Sequence, residues 1–164
     1  MRRTLEAVIE SGIPSERFVF EVVESDEIDD VGKLMETVEE CRATGCRVAL
    51  DDIGNGYNSL NAMAAVRPDF IKLDRDLING VETDIYKSRV AGKLIELAKE
   101  LKIKTVVEGI ETEQAWRWAV EQGADYGQGF TDRVFCSGRR PKPRPYPSFR
   151  HLIRSSKRCR IGMV

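Results

Sequence analysis

The stretch from Val48 to Tyr57 reads VALDDIGNGY, in which an apolar run gives way to two adjacent aspartates and then to a turn with two glycines. The apolar run predicts a buried strand, and the glycines predict a tight turn after it. Asp51 and Asp52 therefore fall at the rim of a predicted sheet, where carboxylate oxygens can hold a hard divalent cation or a pair of them. Aspartate is also common at strand exits, so a purely turn-forming pair is the alternative.

Three further segments place charge at or near the end of an apolar strand. Glu21 and Glu24 follow the run FVF, Lys72 lies within FIKLD, and Glu108 follows TVV. Four such strand ends together predict a functional site. Individually, Lys72 could be a surface lysine on an edge strand, and Glu24 and Glu111 could be helix N-terminal charges favoured by the helix dipole.

Helical and strand patterns alternate along the chain, which predicts an α/β fold with a parallel sheet. We predict helices at about 4–11, 31–41, 59–66, 84–101 and 111–122, and strands at about 17–23, 46–50, 69–73, 103–108 and 124–126. Catalytic groups of a parallel βα barrel lie at the carboxyl ends of its strands, where these acidic residues fall. An open doubly wound sheet would also place ligands there, but no GxGxxG motif follows the first strand. About five βα steps predict part of a TIM-like (βα) barrel without its N-terminal strands.

The charge of the chain is unevenly distributed. From Arg133 onward there are ten Lys or Arg residues and no acid, although the whole chain has a net charge of -1. We therefore divide the chain into a domain at 1–134 and a basic, Pro/Arg-rich tail at 135–164 with a possible short helix at 149–156.

The residue types present restrict the metal and the compartment. The single histidine, His151, lies near the end of the sequence, so a metal site in the body must use oxygen ligands, which favours magnesium, manganese or calcium. The four cysteines lack zinc-ligand spacing, and we expect them to be reduced. No apolar run approaches the roughly 18 residues that would span a membrane, and we expect a cytoplasmic protein.

Five motifs, in order and spacing, resemble those of EAL domains, which are bacterial phosphodiesterases that open cyclic di-GMP to the linear dinucleotide. The motifs are EVVE at 21–24, DDIGNGYNSL at 51–60, KLD at 72–74, EGIET at 108–112 and QGF at 128–130. The resemblance covers about residues 1 to 130. It implies a TIM-like barrel with two magnesium or manganese ions and cyclic di-GMP as a ligand.

The resemblance also implies a role for each matching residue. Glu21, Asp51 and Asp52 would be metal ligands, with Asp52 bridging two ions. Lys72 would steady the attacking water and the developing charge, and Glu108 would be the general base or an additional ligand. Glu24 would pin the loop after Asp52, and Glu111 and Gln128 would orient water and metal.

Departures from the family pattern lead to further expectations. The name-giving Glu-Ala-Leu motif and an asparagine ligand would come before the Glu21 strand, so we expect the chain to be inactive alone. Absent strands would leave open sheet edges, which predicts an interaction module that forms a homo-oligomer or binds a partner chain completing the barrel. Binding of nucleic acid or an anionic surface through the basic tail is a further alternative. The tail has few aromatic residues on which bases could stack, which disfavours nucleic acid as the partner.

Overall fold

The computed structural model describes residues 2–23, 31–56, 58–129, 133–136 and 159–163, with residues 2–4, 31, 33 and the last two segments described by their backbone only. The helices are α1 Arg2–Glu10, α2 Val31–Ala43, α3 Ser59–Val66, α4 Arg75–Ile78, α5 Ile85–Glu100 and α6 Glu113–Gln122, with a 3-10 turn at Ser15–Arg17. The strands are β1 Phe18–Val23, β2 Arg47–Ile53, β3 Phe70–Leu73, β4 Lys104–Ile110, β5 Tyr126–Gly129, β6 Arg133–Cys136 and β7 Cys159–Met163.

All seven strands form one sheet in the order β6-β5-β4-β3-β2-β1-β7. The five central strands, β1 to β5, pair in parallel with their sequence neighbours, so their carboxyl ends meet at one edge. The two outer strands pair antiparallel, β6 with β5 and β7 with β1. The predicted α/β fold with about five βα steps is therefore confirmed.

The helices begin and end where the sequence supplies the matching caps. The Asp84 carboxylate accepts hydrogen bonds from the first backbone amides of α5, and the Thr112 hydroxyl accepts one from Ala115 at the start of α6. Gly123 ends α6 with a positive φ of 86°, a conformation that costs glycine little. Local sequence thus fixes the helices that separate the parallel strands.

The sheet has two different faces. Alternate strand residues such as Phe20, Val48, Leu50 and Ile71 pack with the helices in the main hydrophobic core. On the other face, Val19, Ala49 and Phe70 form a smaller apolar cluster, against which Val106 and Tyr126 also pack. This second cluster is called the inner apolar layer below.

Two strands were not anticipated from the sequence. Strand β6 spans the predicted boundary at residue 134 and β7 lies in the predicted tail, and neither was predicted because short strands beside Pro- and Arg-rich segments have little periodicity. They pair with β5 and β1, the edges expected to be open, so within the described residues both edges of the parallel part are covered. The predicted division at residue 134 stays a prediction, and the predicted helix at 149–156 lies outside the described residues.

No helix in the described part of the chain is both long enough and apolar enough to cross a membrane.

Candidate metal and catalytic site

Each parallel strand carries one polar residue two positions beyond its member of the inner apolar layer. Because side chains alternate along a strand, residues two positions apart share a face. These five residues, called the polar layer below, are Glu21, Asp51, Lys72, Glu108 and Gln128. The inner apolar layer thus lies beneath a row of ionisable and amide groups near the carboxyl ends of the strands.

Lys72 is the centre of the polar layer. Its Nζ lies 2.7 Å from Asp51 Oδ1, 2.8 Å from Glu108 Oε1 and 3.3 Å from Glu21 Oε1. The side chains of Lys72, Asp51 and Glu21 are only 12%, 1% and 7% exposed. One ammonium group on β3 therefore holds together carboxylates from β1, β2 and β4 in a largely buried site.

A bulge lets both aspartates of β2 reach the same place. The register of β2 and β3 shifts between Leu50 and Ile53, so Asp51 and Asp52 together lie opposite Lys72. Asp52 has a φ of 59°, which is uncommon for a residue with a side chain. In a regular strand consecutive carboxylates would point to opposite faces, so the bulge and the left-handed residue are what bring them together.

A second bulge lies on the other side of Lys72. The register of β4 and β5 shifts between Val107 and Ile110, which leaves Glu108 and Gly109 together opposite Gln128. Gly109 has a φ of 65°, and a Cβ there would lie 2.3 Å from Arg75 Cγ. Only glycine fits both the backbone conformation and this close approach, so the sequence Glu108-Gly109 fixes where the Glu108 carboxylate stands.

Burial and neighbouring charges together raise the pKa values of Lys72 and Glu108. Burial lowers the pKa of the Lys72 ammonium, but the carboxylates of Glu108, Glu21 and Asp51 outweigh burial and raise its pKa above the ordinary value. Burial raises the pKa of the Glu108 carboxyl above its ordinary value, and Lys72 opposes part of that rise. Lys72 therefore stays charged near neutral pH, whereas Glu108 accepts a proton more readily than an exposed glutamate.

Three carboxylates are spaced to share a cation. One carboxylate oxygen each from Asp51, Asp52 and Glu108 lies within 4.8 Å of the others, a group called the acidic cluster below. Such an all-oxygen set fits magnesium, manganese or calcium. A divalent ion bound there would supply charge neutralisation and activation of water. Glu21 is brought to this site by its ion pair with Lys72 and lies beside the acidic cluster.

The remaining predicted residues take different positions. Gln128 is half-buried on β5, opposite the bulge that carries Glu108. Glu111 lies at the surface, 56% exposed, and forms an ion pair with Arg75. Glu24 lies outside the described residues. The roles assigned to these residues stay predictions.

Arg75 is a residue of this region that the sequence analysis did not single out. It begins α4 directly after β3, packs against Gly109 and pairs with Glu111, so it links the ends of β3 and β4. No sequence pattern marks it, because its importance depends on the close approach of Gly109, which is 34 positions away in the chain.

Comparisons with known proteins identify the family of this chain. The family model for the EAL domain matches residues 1–131. The probable cyclic di-GMP phosphodiesterase PdeN of Escherichia coli K12 is 31% identical over 122 residues, which is 73% of this chain and 23% of PdeN. This chain spans less than a third of the length of such curated relatives.

Solved structures of the family have a similar fold. A standalone EAL protein from Vibrio cholerae O395, bound to cyclic di-GMP, gives a TM-score of 0.72 at 30% identity, covering 79% of this chain and 54% of that one. Klebsiella pneumoniae BlrP1, in a complex with manganese and cyclic di-GMP, gives 0.74 at 26% identity, covering 79% of this chain and 33% of that one. The predicted partial TIM-like (βα) barrel is thereby confirmed. Since the family model matches most of its length, the chain belongs to the EAL domain family and is related to cyclic di-GMP phosphodiesterases.

Proposed function

We propose that this chain binds cyclic di-GMP through divalent magnesium or manganese ions held by Asp51, Asp52 and Glu108, with Glu21 as a further ligand. The acidic cluster carries the proposal, because its three carboxylate oxygens lie within 4.8 Å of one another at the carboxyl ends of parallel strands. A phosphodiester is already negative, so it needs bound cations to approach such a cluster. The manganese and cyclic di-GMP complex of the related BlrP1 supports the choice of ligands.

The chain's own residues have distinct tasks in this proposal. Lys72 is held between Asp51 and Glu108 at 2.7 and 2.8 Å, where it fixes both carboxylates and offers positive charge to a phosphate oxygen. Glu108 is the candidate general base, since its raised pKa brings proton acceptance closer to neutral pH. The buried members of the inner apolar layer, Val19, Ala49 and Phe70, lower the local dielectric beneath these charges and so strengthen their interactions.

We further propose that the chain by itself turns over little or no cyclic di-GMP. The Lys72 ammonium already neutralises part of the carboxylate charge, which leaves fewer oxygens for two ions. Carboxylate oxygens engaged by an ammonium group are weaker metal ligands, and weakened support of a metal site typically reduces metal affinity or activity by about 10- to 100-fold. Binding without efficient hydrolysis is the outcome that this ligand set supports best.

Calorimetric titration of cyclic di-GMP, with and without manganese, tests the binding proposal. We expect saturable binding only with the ion, lost in Asp52→Asn and retained in Asp76→Asn, which changes an exposed aspartate at the start of α4. Binding of equal strength without ions, or in Asp52→Asn with manganese, would contradict the proposal. A parallel hydrolysis assay with manganese tests turnover, and many turnovers per chain would contradict the second part.

A cytoplasmic location and self-association are also part of the proposal. Cys41 and Cys46 are buried thiols that take no part in a disulfide, which agrees with a reducing compartment. In the seven-stranded sheet β6 and β7 are the outermost strands, and an outermost strand can pair with a second copy. Light scattering over a range of concentrations tests this, and a monomer at every concentration would exclude self-association.

A further inference from the structure

Helix α4 follows β3 directly, and hydrogen bonds fix both of its ends. At its start the Asp74 carboxylate accepts a hydrogen bond of 2.7 Å from the Asp76 amide. At its end Lys87 of α5 donates from Nζ to the carbonyl oxygens of Asp76 and Asn79, at 2.7 and 2.9 Å. Contacts with the rest of the protein therefore hold this four-residue helix in place, because a single helical turn is not stable by itself.

The turn that follows Asp52 packs against one side chain of α4. Gly54 has a φ of 103°, and a Cβ there would lie 2.7 Å from Leu77 Cδ2, so the Leu77 side chain lies against bare backbone. The Asp74 amide also donates to the carbonyl oxygen of Ile53, at 3.0 Å. The end of β2 is thus held against α4 by a side chain and by a backbone hydrogen bond.

The segment that follows Glu108 packs against a second side chain of α4. A Cβ at Gly109 would lie 2.3 Å from Cγ and 2.7 Å from Cβ of Arg75, so the Arg75 stem lies directly on the backbone of Gly109. The guanidinium group of Arg75 pairs with Glu111, two positions further along. The end of β4 is therefore held against the same helix as the end of β2.

The two contacting side chains, Arg75 and Leu77, are two positions apart on one helical turn. A shift of α4 would therefore move the backbone beside Asp52 and the backbone beside Glu108 together. One carboxylate oxygen from each of these two residues and from Asp51 lies within 4.8 Å of the others. A metal ion requires its ligands at such short separations, so contacts that orient the ligands affect its affinity.

We propose that α4 is a positioning helix that holds Asp52 and Glu108 at the separation that a shared divalent ion requires, with Leu77 and Arg75 as its positioning residues. The inference rests on the proposed metal site at Asp51, Asp52 and Glu108.

Calorimetric titration with manganese chloride tests the role of Leu77. We expect Leu77→Ala to bind manganese about tenfold more weakly than the unchanged protein, because loss of a contact that orients ligands typically has an effect of this size. Leu77→Met keeps most of the side-chain volume and should stay within about twofold. Leu97→Ala is the matched control, since Leu97 of α5 is also a partly buried leucine packed against the main core, and its manganese affinity should not change. Equal affinities in Leu77→Ala and Leu97→Ala would overturn the positioning role.

Two substitutions of Arg75 separate its stem from its charge. Arg75→Met keeps an apolar stem against Gly109 and loses the ion pair with Glu111, whereas Arg75→Ala loses both. We expect Arg75→Ala to weaken manganese binding about tenfold and Arg75→Met to remain within about threefold of the unchanged protein. An equal loss in both variants would overturn the role of the stem.

Amide hydrogen exchange without any metal tests whether α4 joins the two segments. Leu77→Ala should speed the exchange of residues 52–55, which it contacts, and also of residues 108–111, which are connected to it only through α4. Leu97→Ala should leave both segments unchanged. A change confined to residues 52–55 would overturn the inference. Absence of manganese binding in the unchanged protein would overturn the metal site and this inference with it, whereas equal manganese binding in all variants would overturn the inference alone.

Discussion

Replacement of Lys72 by methionine should destabilise the protein through the carboxylates that remain. Methionine keeps an apolar stem of similar length, so the main change is the loss of the ammonium that contacts Asp51, Glu108 and Glu21. Removal of one partner from a buried ion pair costs about 3–5 kcal/mol, because the other charge stays buried and uncompensated. Since Asp51 and Glu21 are nearly fully buried, we expect a loss of that size near neutral pH.

The pH dependence of this loss identifies its cause. Lys72 opposes the rise that burial causes in the pKa of Glu108, so without Lys72 the pKa of the Glu108 carboxyl rises further in the folded state. The folded protein then binds a proton that the unfolded chain releases above about pH 4. The free energy of unfolding of the variant therefore falls as pH rises from about 4 toward 8. In the unchanged protein the raised pKa of Lys72 contributes stability that is fully present below the unfolded pKa of about 10.4 and is lost as pH rises through the folded value.

Urea unfolding of Lys72→Met, followed by circular dichroism at several pH values, measures both effects. Lys104→Met is the matched control, because Lys104 forms an exposed ion pair with Asp125 and such pairs contribute about 0–1 kcal/mol. Manganese should restore part of the lost stability of Lys72→Met, since an ion that binds only the folded state stabilises it. A loss no larger than that of Lys104→Met, or one that is the same across the pH range, would refute the reasoning.

Three other predictions concern the bulges and Glu108. Asp52→Gly should be more stable than Asp52→Ala by about 1 kcal/mol, because only glycine adopts a φ of 59° without strain. Both variants should lose manganese binding in calorimetry. Equal stability of the two variants would contradict a strained backbone at this position. Gly109→Ala should be less stable in urea than Gly123→Ala by about 1–3 kcal/mol. Both glycines have positive φ, but only a Cβ at position 109 meets Arg75, at 2.3 Å from its Cγ. Similar losses of unfolding free energy in the two variants would exclude the clash. Manganese affinity should fall as pH decreases through the raised pKa of Glu108, because a protonated carboxyl is a poor metal ligand. Glu108→Gln should bind manganese more weakly, and its affinity should depend less on pH. The same pH dependence of affinity in both proteins would remove Glu108 from the site.

The helices and parallel strands could be predicted because their signals are local. Helix α3 has the predicted bounds of 59–66, and α5 and α6 begin beside Asp84 and Thr112, whose caps are visible in the sequence. Charged residues at the ends of apolar runs were sufficient to place Asp51, Lys72 and Glu108 at one edge, because parallel strands have their carboxyl ends on the same side.

The features that could not be predicted depend on contacts distant in the chain. The two bulges arise from the register between neighbouring strands, and the sequence alone does not specify that Asp52 turns left-handed. Arg75 acquires its place only where it meets Gly109. Strand β7 pairs with β1 across well over a hundred residues, so no periodicity near Cys159 indicates its partner.

The separation of the two sheet faces has a consequence for how this protein can change over time. The helices pack on one face, while the polar layer projects from the other, so a substitution that conserves volume in the helical core need not touch the charged groups. Conversely, an exchange of an exposed charged residue at the end of a single strand changes the charge of this edge while the helices stay packed on the other face. In a chain built in this way, the charged groups on one face and the helical core on the other can change largely independently of each other.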